Sequence, residues 1–169
     1  MLGLTTLGVI HTAISLVAIV CAFWALARDR EISPLNTLGR TYLVTTLLTA
    51  VTGLGIFQHG GFGPPHVLSI LTILALGVGS AAAFKGAFGR WSRHVQIVSY
   101  SVTVLFHMIP GFTETLTRLP PGQPLLANAE DPAFGPIYGV LLLLFVVGLV
   151  LQLRWLRAAS GKSLAQAPA

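Results

Sequence analysis

Charge is what this sequence has least of. Only 9% of its 169 residues are Asp, Glu, Lys or Arg, against about 25% in soluble domains, and so little charge cannot cover a water-facing surface. Cysteine is nearly absent. Cys21 stands alone, which excludes an intramolecular disulfide and a cysteine-rich metal site, and within an apolar run it reads as a small packing residue. The usual signatures of chemistry are missing as well. No glycine-rich phosphate loop follows a strand, no H-E-x-x-H occurs, no Ser, His and acid set is suggested, and His59-Gly60-Gly61 reads only as a turn. No acidic pair suits a glycosidase. The chain therefore leans away from being an enzyme, and no residue is assigned a catalytic role. A net charge of +5 invites a nucleic-acid reading, but the basic residues stand singly beside apolar runs, without a stripe or interleaved aromatics. No nucleic-acid partner is expected.

What the chain does have is long apolar runs. They span about Leu2 to Ala27, Thr41 to Gln58, His66 to Phe84, Val95 to Leu116 and Ile137 to Leu153. About 20 apolar residues suffice to cross a hydrocarbon core roughly 30 Å thick. The lipid bilayer is thus the expected solvent, and the fold class is an all-α membrane protein. Ala25-Leu26-Ala27 imitates a signal-cleavage site, but no positive residue precedes the first run and its apolar stretch is too long for a signal core. It reads as a retained helix.

The basic residues set a direction. Arg28, Arg30, Arg40, Lys85, Arg90, Arg93, Arg154, Arg157 and Lys162 flank one side, nine of the ten, and only Arg118 falls on the other. By the positive-inside rule the crowded side is cytoplasmic, so the chain is expected N-out/C-in, multi-pass in a bacterial inner membrane. Residues 1–120 form a four-helix transmembrane bundle in this reading. Residues 121–136 form an extracytoplasmic loop, 137–155 a fifth helix, and 156–169 a cytoplasmic tail, disordered from Ala158 to Ala169.

Small and polar residues mark the faces that meet other helices, because lipid accepts apolar residues on any face. Gly8, His11, Ser15, Ala18, Ala22 and Ala25 recur at helical spacing in the first run, and Tyr42, Thr45, Thr49, Thr52 and His59 do so in the second. The third carries His66, Ser69, Thr72, Gly77 and Ser80. The fourth is clearest, with Gln96, Tyr100, Thr103, His107, Gly111 and Glu114 in one stripe. The fifth is nearly all aliphatic. These stripes predict an antiparallel four-helix bundle with a polar interior and a fifth, peripheral transmembrane helix. Other membrane subunits or a second copy of the chain are possible partners, and the bland fifth helix is the expected contact.

At about 1.5 Å per residue, His11 lies roughly 25 Å above Arg28 and His107 roughly 21 Å above Arg93, while His59 and His66 lie roughly 28 Å above Arg40 and Lys85. Four histidines thus share the outer third, and His94 alone sits at the cytoplasmic face. Intramembrane ionisable residues are expensive to bury and are functional candidates for that reason. Imidazole suits haem b, copper and zinc. His11 with His66, or His11 with His107, would make a bis-histidine haem site, and His11, His66 and His107, with His59 or Met108, would hold zinc or copper. Glu114, Tyr100 and Thr103 mark a proton or ligand path, loosened by Pro110-Gly111. The competing reading is that these residues serve only helix packing, in a non-catalytic accessory subunit or a small proton or solute transporter.

The string Phe62-Gly63-Pro64-Pro65-His66-Val67-Leu68-Ser69-Ile70-Leu71-Thr72-Ile73, with Leu38-Gly39-Arg40 before it, resembles a family of uncharacterised bacterial inner-membrane proteins of about four helices, known as a domain of unknown function. The likeness covers about Gly8 to Pro120 and extends to His11, to the segment Arg90 to His94 and to Pro110-Gly111. It departs at Leu35-Asn36-Thr37, where a His-Arg pair is usual in the family. The resemblance implies a membrane fold and the placing of His11, His66 and His94, and no reaction.

Overall fold

The structure is a computed structural model that describes residues 5–57 and 61–165, with 159–165 by backbone alone. Among the described residues five helices follow one another: α1 (Thr6–Asp29), α2 (Thr37–Leu54), α3 (Pro64–Lys85), α4 (Ser92–Arg118) and α5 (Phe134–Ala165), with a 3-10 turn at Gly89–Trp91. No strand occurs among the described residues. Thr6–Asp29, Pro64–Lys85, Gly89–Arg118 and Phe134–Ala158 are long and apolar enough to cross a membrane. The 18-residue α2, which includes Arg40 and six threonines, is not among these spans.

Local chemistry sets the helix ends. Asn36 caps α2, its side chain accepting from the Gly39 amide at 2.8 Å, so α2 begins at Thr37 rather than near Thr41. Gly63 and the Pro64-Pro65 pair start α3, and Gly86 ends it with φ of 59°, a left-handed conformation that glycine adopts without steric penalty. α5 continues to Ala165, into the segment expected as a disordered tail. The stretch Arg154-Trp155-Leu156-Arg157-Ala158 contains no breaker and is composed mainly of good helix formers.

α1 packs on α2, α2 on α3, α3 on α4, and α5 on α4, with a slighter contact between α1 and α4. Tyr42 and Thr46 of α2 bond to Thr103 and His107 of α4, so these two helices run parallel across the interior. We call the end where α1 stops and α2 starts the basic end, since Arg28, Arg30, Arg40 and Arg93 gather there.

The core is built by pairing small residues with tyrosines. Ala18, Ala22 and Ala25 of α1 cluster with Tyr42, Tyr100, Leu76 and Val104. Gly79 makes room for Tyr100, because a Cβ there would lie 2.5 Å from the Tyr100 ring. Gly77, expected on the inner face, is exposed instead. At Gly39 a Cβ would meet the Ser33 carbonyl oxygen at 1.9 Å, so glycine is what lets the α1–α2 connection fold back onto α2. That connection is then tied down: Arg93 pairs with Glu31 at 2.5 Å and Gln96 Nε2 donates to the Ile32 carbonyl at 3.3 Å.

Candidate functional site

The stripe read on α4 is an interior surface. Gln96, Tyr100, Thr103 and His107 are all buried, placed there by a spacing of three and four residues. On α2 the buried face carries Tyr42, Thr46, Thr49, Ala50 and Gly53. Thr46 was not in the expected stripe, although it stands four residues after Tyr42 and three before Thr49. Thr45 instead turns its hydroxyl back to the Thr41 carbonyl at 2.7 Å, the usual way a membrane-helix threonine satisfies itself.

Thr46 proves central. His107 Nε2 and Thr46 Oγ1 are hydrogen-bonded at 3.1 Å, and Tyr42 bonds both to Thr46 and to Thr103, the latter at 2.6 Å. The Thr103 hydroxyl donates to the Tyr100 carbonyl at 2.7 Å. With that proton engaged, Tyr42 must be the donor to Thr103, so the chain of dipoles points away from His107. It ends on the Tyr100 backbone carbonyl, with no onward exit for a proton.

His11 is held by the same helix. Its Nδ1 lies 3.0 Å from Thr52 Oγ1, and the Thr52 hydroxyl is itself 2.8 Å from the Leu48 carbonyl. The hydroxyl proton thus serves the helix and the ring donates from Nδ1. Close packing keeps the ring in place, since a Cβ at Gly53 would lie 3.4 Å from His11 Cε1 and 2.7 Å from Ser69 Oγ. His11 and His107 are close enough for their charges to interact. The Glu114 carboxylate is also near enough to act on His11, with attraction in place of repulsion. Glu114 is half exposed and forms an ion pair with Arg118 one turn on.

His66 has a different setting. Its ring lies between Phe57 and Phe62, at centroid distances of 4.5 and 5.2 Å, and its Nδ1 accepts from the Gly63 amide at 3.2 Å. The proton is therefore on Nε2, which is buried without a hydrogen-bond partner. His59 lies outside the described residues. Among the described residues no three His, Cys, Asp or Glu side chains gather where they could hold a metal ion. Tyr100, expected on the path, bonds to Ser80 across α3 and α4 at 3.2 Å.

The site therefore brings together His11, His107 and Glu114 from the expected set. It adds Thr46, Thr52 and Tyr42 as the groups that position the two rings. No protein-family model, curated protein or solved structure matches this chain.

Proposed function

We propose that this is a five-crossing membrane protein, N-terminus outside and C-terminus in the cytoplasm, whose His11–His107 pair is a proton-binding site in a small proton-coupled transporter. The fifth crossing is α2. Because α1 ends at the basic end and α3 starts at the opposite one, the chain must return between them, and 18 residues rise about 27 Å, close to the core thickness of about 30 Å. The orientation follows from the nine basic residues on one side.

The observation that carries the proton reading is the pair itself: two imidazoles from different helices, each anchored by a threonine of α2, close enough to interact. Like charges at such range oppose double protonation, so the pair takes up one proton at a time. Glu114, at the outer end, takes a proton from outside when its ion pair with Arg118 opens and passes it to the pair. Net transfer then needs movement of the helices, for which Pro110, inside α4, removes one backbone hydrogen bond.

The test is proton uptake into dye-loaded proteoliposomes under an imposed potential. His11→Ala and His107→Ala should each lower the rate at least about tenfold, while His94→Gln, at the basic end, leaves it unchanged. Wild-type flux no greater than that of empty vesicles overturns the reading. The second reading is a haem b or copper centre on the same two rings, favoured by the same proximity. It predicts a Soret band or one copper per purified chain, lost in either alanine variant.

A further inference from the structure

A cavity lies on the α5 side of the bundle. It has a volume of about 620 Å³ and opens between α1, α4 and α5, within the usual size of small-molecule sites. Its walls are apolar, with Leu26 from α1, Val104 and Met108 from α4, and Phe145 and Leu149 from α5. Its lining runs from Leu141 to Trp155 along α5, about 21 Å of helix, more than the roughly 15 Å depth of one leaflet.

One end is polar, and it is the basic end. Arg30, Ser101 and Gln152 line it. Ser101 donates to the Gln152 side chain at 2.8 Å, and Gln152 donates to the Arg30 carbonyl at 2.9 Å. The three ion pairs among the described residues engage Arg28, Arg93 and Arg118, leaving the Arg30 guanidinium uncommitted. Arg30 has a φ of 62°, a left-handed conformation where glycine is the ordinary occupant. An arginine kept in that conformation points to use of its side chain. Trp155 beside it marks the interfacial depth at which headgroups lie, and Arg154 is exposed next to it.

We infer that this groove binds one anionic phospholipid of the leaflet at the basic end, its phosphate on Arg30 and one acyl chain along Val104, Met108 and Phe145. Charge complementarity selects the headgroup: Arg30 presents a planar fork of donors matched to phosphate oxygens. The apolar walls and their length select the chain. Gly148 lines the groove, and a Cβ there would meet nothing within 4 Å, so a large side chain can be introduced at that position to occupy the lipid's space. The inference uses the membrane setting and is independent of the proton reading.

The experiment is native mass spectrometry of the full chain in detergent, titrated with phosphatidylglycerol or with phosphatidylcholine of the same acyl composition. The expected result is one phosphatidylglycerol per chain, bound at least tenfold more tightly than phosphatidylcholine. Arg30→Gln should abolish that preference, Arg30→Lys should restore part of it, and Gly148→Phe should remove both lipids. Equal binding of the two lipids by the wild type, or an undiminished preference in Arg30→Gln, overturns the inference. So does a wild-type dimer that Gly148→Phe turns into a monomer, which would make a second copy the occupant. If Gly148→Phe does not fold, the arginine pair decides.

Discussion

Glu31 is one of five acidic residues in the chain, and it is buried in the α1–α2 connection with one carboxylate oxygen on Arg93 and the other without a partner. Burial raises its pKa above the ordinary 4.5, and the Arg93 charge only partly opposes this. The folded state therefore binds the Glu31 proton more readily than the unfolded state does. That contribution to stability is full below the ordinary value and is lost as pH rises through the raised one. Unfolding followed by tryptophan fluorescence in mild detergent should show a midpoint that declines as pH climbs from about 4.5, and Glu31→Gln should flatten the decline. A slope unchanged in the variant would place its origin elsewhere. The residue scale also shows what a sequence can and cannot announce. His11 and His107 stood out because an ionisable group within an apolar run is expensive and therefore conspicuous. Thr46 did not, because most membrane threonines bond their own helix, and only the approach of α4 gives this one a ring to hold.

Among the helices, α4 and α5 are opposites: 44% of the most apolar 18 residues of the α4 span are buried, against 11% for α5. The α4 stripe was legible because polar residues at a spacing of three and four can avoid lipid only by facing protein. α5 offered little to read, yet it is pinned near both ends. The Tyr138 and Thr113 hydroxyls bond at 2.6 Å, and Gln152 reaches Ser101 and the Arg30 carbonyl. Side-chain hydrogen bonds between membrane helices are worth about 0.6 kcal/mol each, roughly threefold in an opening equilibrium. The double variant Tyr138→Phe, Gln152→Leu should thus raise hydrogen exchange in α5 several-fold while α1 to α4 keep wild-type protection. Equal acceleration in all five helices would mean that α5 is an integral part of the core.

For the whole molecule, the charge asymmetry predicts the direction of insertion. In a Cys21→Ala background on intact cells, a cysteine at Asn128 should react with a membrane-impermeant maleimide, and one at Arg90 should react only after permeabilisation. The reverse pattern would invert the proposed topology. The bilayer setting, the number of apolar runs and the inward stripe of α4 follow from the sequence alone, since hydrophobic length and polar periodicity are local properties and the membrane rewards them whatever the helices later touch. Which polar groups meet was decided by the tertiary structure. The α2–α4 crossing brings Thr46 to His107, His66 is taken up by Phe57, Phe62 and Gly63, and the docking of α5 opens a groove floored by Arg30. Such contacts depend on which helices are neighbours and on their register. The apolar residues that dominate these runs cannot specify either, because lipid satisfies them as well as protein does. Little charge made the membrane legible, and the few polar groups acquired partners only when the helices packed.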